Sequence, residues 1–160
     1  MGDILKVEFI NDELINIFIN RKMLSDINYD EDLVGVIDKL VYRIDEIYKV
    51  GLCGFYKINC YINEKLGIFL DIIKIDDNEF SNTTDFRILL NNNSKFLLEV
   101  DLTNIVDNIP IRVYDGNFYI SVDNIESIDK YIDNCRVVYG NEADTIIKNS
   151  KLLNKKEVTL

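Results

Sequence analysis

Apolar residues recur at steps of three and four between Tyr29 and Val50, which is the period of one face of an α-helix. Residues 30–32 are acidic and fall in the first turn, where exposed amides and the helix dipole favour negative charge. Gly51 suits the left-handed conformation that closes a helix. We predict one long helix that packs on a sheet. Its apolar stripe contains Leu33, Val36, Ile37, Leu40, Val41, Ile44, Ile47 and Tyr48.

Alternation of apolar and polar residues predicts a hairpin on each side of this helix. Residues 4–10 and 14–19 form the first, and residues 55–62 and 66–75 form the second. The first half therefore has the order β-β-α-β-β, a sheet with one helix across it. Tyr56, Ile58, Cys60 and Ile62 are predicted to share one face of the third strand.

The second half predicts more hairpins and shorter helices. Asp115-Gly116 supplies the positive φ angles of a two-residue turn between strands 111–114 and 117–122. The other predicted strands are 86–90 and 96–100, which flank three asparagines, and 136–139; the predicted helices are 102–108, a segment carrying Ile125, Ile128, Tyr131, Ile132 and Cys135, and 142–153. The fold class is therefore α+β: antiparallel, hairpin-rich sheet or sheets, with one long helix in the N-terminal half and three shorter helices in the C-terminal half.

Two domain arrangements fit this order of elements. Polar residues 76–85 suggest a boundary between an N-terminal half, 1–78, and a C-terminal half, 86–154, followed by a tail, 155–160. The alternative is one compact domain, because the polar stretch is short. Hydrophobic residues are 48% of the chain, which is sufficient for a core without disulfides or metal.

Charge narrows the choice of partner. The chain has 28 acidic and 18 basic residues, a formal net charge of −10, so its field repels phosphate backbones and we expect no nucleic-acid partner. The acidity either provides solubility alone or complements a basic protein. Without a long apolar run or a leader pattern, we expect no membrane association and a cytoplasmic location, and the usage of Ile, Asn and Lys resembles that of an AT-rich bacterial genome.

Catalytic and metal-binding signatures are missing. The sequence has no histidine, which removes the commonest general base and metal ligand. Cys53 is flanked by glycines but has no histidine to activate it, and we expect the three cysteines to be buried reduced thiols. The acids at 76–79 do not have calcium-loop spacing, and no glycine pattern would bind phosphate. We predict a protein that is not an enzyme, with no catalytic residue, cofactor or metal.

The aromatic residues beside Asp115-Gly116, which are Tyr114, Phe118 and Tyr119, indicate a candidate binding site. Tyr114, Asp115, Asn117 and Tyr119 would form a protein-binding patch if they project from the hairpin, because tyrosine gives a large contact area at low entropic cost. The alternative is that alternate residues of the hairpin face the core.

Part of the second half resembles a known family. Lys-Phe-Leu-Leu-Glu-Val from Lys95, the segment Ile-Arg-Val-Tyr-Asp-Gly-Asn-Phe-Tyr-Ile from Ile111, and Val-Tyr-Gly from Val138 before a final helix resemble the C-terminal domain of the MecA adaptor proteins. The first half is similar in outline to the N-terminal, substrate-recruiting lobe of that family. The resemblance implies an adaptor that delivers proteins to a Clp-type ATPase and its protease, with the C-terminal half holding the ATPase.

The sequence thus favours a non-enzymatic, acidic adaptor or regulator of a larger protein machine. An inhibitor, an immunity-type protein or a nucleic-acid mimic that blocks a basic partner is the second hypothesis. A small enzyme with a site made only of carboxylates, Tyr and Lys is the third.

Overall fold

The computed structural model describes residues 5–21, 29–76, 84–91, 94–105, 108–132 and 135–154. Within these residues the chain is a mostly-sheet α+β protein with two α-helices and ten strands in two sheets. The strands are β1 (Leu5–Asn11), β2 (Leu14–Asn20), β3 (Gly54–Asn63), β4 (Gly67–Asp76), β5 (Thr84–Asn91), β6 (Leu97–Val100), β7 (Pro110–Tyr114), β8 (Asn117–Ser121), β9 (Arg136–Val138) and β10 (Lys151–Asn154); the helices are α1 (Tyr29–Tyr48) and α2 (Gly140–Asn149).

The chain forms two compact units that meet in sequence at Asn92 and Asn93. The N-terminal unit contains α1 and a sheet of order β1-β2-β4-β3-β5, and the C-terminal unit contains α2 and a sheet of order β10-β7-β8-β6-β9. Residues 84–91 thus belong with the first sheet. Division into independent domains at 1–78 and 86–154 stays a prediction. None of the described helices is both long and apolar enough to cross a bilayer.

The N-terminal unit confirms the two hairpins predicted on either side of the long helix. β1 pairs with β2 and β3 with β4, both antiparallel, and β2 and β4 pair at the centre. Because paired residues share a face, the apolar positions of all five strands gather under α1. The buried cluster contains Ile17, Ile19, Ile37, Val41, Ile44, Tyr56, Ile58, Cys60, Ile68, Leu70 and Ile72.

Helix α1 begins where the acidic residues predict and ends before Gly51. Lys49 already has a positive φ of 50°, and the Asp45 carboxylate accepts hydrogen bonds from the amides of Gly51 and Leu52, at 2.9 and 3.2 Å. The predicted apolar stripe is wrong at its C-terminal end, because Ile47 is 60% exposed. Ile37, Val41 and Ile44, in the middle of the stripe, are buried.

The predicted hairpin between residues 86–90 and 96–100 is wrong. β5 instead runs parallel to β3, which places Phe86 and Ile88 on the α1 side of the first sheet. Two hydrogen bonds fix its start, since Tyr42 Oη donates to the Thr84 carbonyl at 2.6 Å and Thr84 Oγ1 donates to the Leu52 carbonyl at 2.9 Å. Residues 77–83, the centre of the predicted polar boundary, lie outside the described residues.

The C-terminal unit confirms the hairpin at Asp115-Gly116. The two residues have φ of 48° and 78°, as a two-residue turn of this type requires, and β7 pairs with β8 on either side. Helix α2 packs on one face of this sheet. The buried cluster there contains Leu97, Tyr119, Val138, Ala143 and Ile146.

The prediction of three shorter helices is wrong, because α2 is the one α-helix in the described part of this unit. The described residues of the range 102–108 contain a 3₁₀ turn, Leu102–Asn104, in which the Asp101 carboxylate accepts from the amide of Thr103 at 3.1 Å. The described part of the segment after β8 contains two 3₁₀ turns, Val122–Asn124 and Ile128–Lys130. Its repeated Asp, Asn and Ser residues have low helix propensity because their side chains compete for backbone hydrogen bonds.

Helix α2 also differs from its predicted range of 142–153. It begins at Gly140 and ends at Asn149, and residues 151–154 form β10, which pairs with β7. The apolar residues Leu152 and Leu153 therefore lie on an edge strand and not on a helix face. Three- and four-residue spacing could not reveal this, because two adjacent apolar residues fit either structure.

The three cysteines differ in how far they are buried. None of the three, all of them described residues, forms a disulfide; Cys60 is buried, Cys135 is intermediate and Cys53 is exposed, so the expectation of buried thiols is wrong for Cys53. Burial raises the pKa of the Cys60 thiol to about 12, which leaves almost no thiolate at pH 8.

We expect Cys53 to react with Ellman's reagent at least about 1,000-fold faster than Cys60 at pH 8, because the thiolate is the reacting form. Stopped-flow labelling of the native protein measures both rates, and the Cys53→Ser variant should lose the fast phase. Equal rates for both thiols would contradict the burial of Cys60.

Burial of Cys60 also predicts a pH dependence of stability. Because the pKa of the thiol is raised to about 12 in the folded protein, its contribution to the free energy of unfolding is present below about pH 9 and declines towards pH 12.

Candidate protein-binding site

A row of polar side chains crosses the C-terminal sheet under α2. Arg112 pairs with Tyr119, Tyr119 with Glu99, and Glu99 with Arg136. Directly opposed residues share a face of a sheet, so all four lie on the face that α2 covers. The row alternates cation, phenol, anion and cation over four neighbouring strands. This arrangement is invisible in the sequence, because the four residues come from β7, β8, β6 and β9.

Arg136 connects this row to α2. Its Nε atom donates to Glu99 Oε2 at 2.7 Å, while Nη2 and Nη1 donate to the two carboxylate oxygens of Glu142 at 2.8 and 3.2 Å. The hydrogen bonds to Glu142 raise the pKa of Arg136, and the hydrogen bond to Glu99 adds to the effect. A guanidinium held by two carboxylates has little freedom of orientation. Arg136 is therefore a cation of fixed orientation on the face of the sheet that α2 covers.

Arg112 makes the second connection between the row and α2. Its Nη1 atom donates to Ser150 Oγ at 3.2 Å and lies 3.5 Å from the carbonyl oxygen of Ile147. Both acceptors are at the C-terminal end of α2, where a cation is favoured by the helix dipole. One arginine therefore contacts the helix near each end.

Tyr119 lies between these arginines and is 3% exposed. Burial is the main reason that its pKa is raised, and the charge of Glu99 adds to this, while a hydrogen bond to the side chain of Asn117 lowers it. The phenol is therefore neutral near pH 7. Its ring belongs to the core under α2, and its hydroxyl is held by Asn117 at the hairpin.

A depression of about 460 Å³ lies between the β7–β8 hairpin and α2, and we call it the α2 depression. It is lined by Tyr114, Asp115, Asn117, Tyr119, Arg136, Asn141, Glu142, Thr145 and Ile146. The four residues predicted from the sequence thus line one concavity. Asp115 and Asn117 are exposed, Tyr114 is half-buried and Tyr119 is buried, so they differ in how much they offer to a partner.

The sequence did not indicate the other half of this lining. Arg136, Asn141, Glu142 and Thr145 come from β9 and α2, and their position depends on the order of strands in the sheet. The one available signal was Gly140, which has a φ of 63° and allows the chain to turn from β9 into α2 within two residues. That turn brings Glu142 back over Arg136.

The chemistry of the α2 depression suits a basic or hydrogen-bonding side chain. Two carboxylates, Asp115 and Glu142, face it together with the amides of Asn117 and Asn141 and the ring of Tyr114. Both carboxylates are exposed, and Arg136 already neutralises part of the charge of Glu142 through an ion pair of 2.8 Å. Among the described residues, no group of three or more Cys, Asp or Glu residues is placed to hold a metal ion.

Comparisons with known proteins give no relative. No protein-family model, no curated protein and no solved structure matches this chain.

Proposed function

We propose that this protein is a non-enzymatic, protein-binding adaptor or regulator, and that the α2 depression receives a basic side chain of its partner. The observation that supports this most is the convergence of Tyr114, Asp115, Asn117 and Tyr119 on one concavity with Glu142. Tyrosine, carboxylate and amide groups around a shallow site are typical of protein recognition.

The fixed network beneath the site favours binding without rearrangement. Arg136 holds Glu99 and Glu142 in place, and Tyr119 fills the base of the site under α2. A partner side chain therefore meets a surface whose polar groups are already oriented, and less conformational entropy is lost on association. Tyr114 supplies an aromatic face next to Asp115, a combination that attracts lysine or arginine.

The overall charge supports a basic partner. With a net charge of −10, the protein attracts cationic surfaces over a range of about 8 Å at physiological salt. The resemblance to MecA-type adaptors makes a Clp-type ATPase the first partner to test. An inhibitor or immunity-type role is the alternative that this charge favours, and it differs in salt dependence, since blocking of a basic partner should weaken steeply as ionic strength rises.

We expect Asp115→Asn to weaken partner binding about threefold to thirtyfold, because it removes one of the two exposed carboxylates of the site, the one that is not paired with Arg136 in the way Glu142 is. Asparagine tolerates the positive φ of this turn position, so the hairpin should be preserved. Tagged wild-type and variant proteins are used side by side for affinity purification from native cells with mass spectrometry. The recovered protein is then titrated in purified form at two salt concentrations.

Glu126→Gln is the matched control, because Glu126 is an exposed acid of the same unit outside the depression. It removes the same charge and should leave the affinity unchanged. Equal weakening by both variants would mean that net charge alone drives binding. The proposed site would be contradicted if no partner were recovered, or if the affinity of the recovered partner did not change on substitution of Asp115 or Tyr114.

A further inference from the structure

β1 lies at the edge of the N-terminal sheet, and β2 is its one neighbour among the described residues. Edge strands present alternate backbone N–H and C=O groups that can pair with another strand. β1 has seven residues and no proline, and its apolar side chains Phe9 and Ile10 are 60% and 50% exposed. Among the strands that the structure describes, none covers this edge on the side away from β2.

We propose that β1 pairs with β1 of a second copy of this chain, antiparallel about a two-fold axis normal to the sheet. The two five-stranded sheets would then form one continuous sheet of ten strands. The occupant is a second copy because β1 is complementary to itself in charge, with Lys6 and Glu8 on either side of Val7.

A two-fold axis normal to the sheet must pass beside one residue that pairs with its own copy, because opposed residues share a face. An axis at Lys6 pairs Lys6 with Lys6, and an axis at Glu8 pairs Glu8 with Glu8. An axis at Val7 pairs Lys6 with Glu8 twice. Among these three registers, only the last has opposite charges opposed, and cross-strand pairs of this kind stabilise a sheet.

The same register brings apolar residues together on the other face. Phe9 would lie opposite Leu5 of the second copy, and Val7, two residues away on the same strand, packs against the core under α1. Phe9 pairs with Ile15 within its own sheet, yet it remains largely exposed. A register shift at Ile10 ends the regular pairing of β1 just beyond this point, so the proposed interface covers the regular part of the strand, residues 5–9.

Lys6 and Glu8 can form these new pairs at low cost. Their side chains are 59% and 47% exposed, and they form an ion pair of 2.8 Å along the strand. Exchange of this pair for two cross-strand pairs keeps both charges compensated. In the register with the axis at Val7, neither charge has to be buried without a partner.

Charge variants test the proposal through the mass of the assembly. We expect light scattering after size exclusion to give twice the 18.6 kDa of one chain for the wild-type protein. Lys6→Glu and Glu8→Lys should each weaken dimerisation at least about tenfold, because each replaces two attractive pairs with two repulsive ones.

A mixture of the two variants in equal amounts should form a heterodimer. The Lys6→Glu chain carries a negative charge at both positions 6 and 8, and the Glu8→Lys chain carries a positive charge at both. Across the proposed register, each acid of one chain then faces a base of the other. Native mass spectrometry detects this heterodimer directly.

General repulsion predicts a different result. Lys6→Glu makes the chain more acidic and Glu8→Lys makes it less acidic, so net charge alone would change the dimer in opposite directions. Lys95→Glu and Asp123→Lys are the control pair, because Lys95 and Asp123 form an ion pair of similar exposure, 3.7 Å apart, in the other unit. They should leave the mass unchanged.

The outcomes separate clearly. A wild-type protein that stays monomeric at its highest soluble concentration would overturn the proposal, as would a wild-type dimer that persists in both β1 variants. Circular dichroism of each variant establishes that loss of the dimer is not loss of the fold. Loss of the dimer in each separate variant, together with its return in the mixture, supports both the choice of edge and the register.

Discussion

Replacement of Gly67 by alanine is expected to lower the free energy of unfolding by about 3 kcal/mol or more. Gly67 begins β4 with a φ of +129°, a conformation that residues with a side chain rarely adopt. An added Cβ would collide with the carbonyl oxygen of Ile19 and lie 2.9 Å from the amide nitrogen of Arg21. Both are backbone atoms of the neighbouring segment, so they cannot rotate away. Urea denaturation followed by circular dichroism measures the loss.

Gly51→Ala is the matched control, because it separates strain from collision. Gly51 also has a positive φ, +78°, but a Cβ there would meet nothing within 4 Å. We expect this variant to cost about 1 kcal/mol. Equal losses at the two positions would show that the close approach of β2 and β4 at Gly67 is not a real constraint. If the two units unfold separately, both variants should shift one transition and leave the other unchanged.

The second large effect is expected at Tyr119. Truncation to alanine removes a buried ring from the cluster under α2 and should cost about 3–5 kcal/mol. Tyr119→Phe keeps the ring and removes the hydroxyl that meets Asn117, so we expect a loss of only about 0.5–1.5 kcal/mol. Denaturation curves of the two variants give both values, and hydrogen exchange at the amides of β6 to β9 assigns the loss to the C-terminal unit.

The pair of variants also separates two roles of Tyr119. If the hydroxyl only satisfies Asn117, Tyr119→Phe should retain partner binding within about a factor of three. If Tyr119→Phe lowered the free energy of unfolding as much as Tyr119→Ala does, the assignment of the ring to the core would be contradicted. Tyr114→Ala provides a comparison at the rim, because Tyr114 is half-buried and lies in the same depression. It should affect binding more than stability.

Local sequence signals predicted the elements whose physics is local. The acidic start of α1, the Asp115-Gly116 turn and the two N-terminal hairpins depend on residues close in the chain. Each has a specific cause: helix dipole, positive φ, or alternation with a polar turn. The candidate residues at the hairpin were found for the same reason, because the turn aligns Tyr114 with Asn117 on one face.

Elements that depend on distant pairing were missed. β5 has the alternation of any strand, and nothing in residues 84–91 distinguishes a parallel neighbour about 30 residues back from an antiparallel neighbour just ahead. The segment with Ile125, Ile128 and Tyr131 has helical spacing, but polar residues with low helix propensity break it into short turns. Arg136 and Glu142 were missed because sheet order brings them to the site.

The parallel pairing of β5 with β3 has a consequence for the order in which this chain can fold during synthesis. A nascent chain that has emerged only to residue 78 already contains both N-terminal hairpins and α1, but β3 still lacks its outer neighbour. The backbone N–H and C=O groups on the outer edge of β3 would stay unpaired until residue 91 has left the ribosome exit tunnel. Fragments cut at residue 78 should therefore aggregate, whereas those that extend through Asn92 should stay in solution.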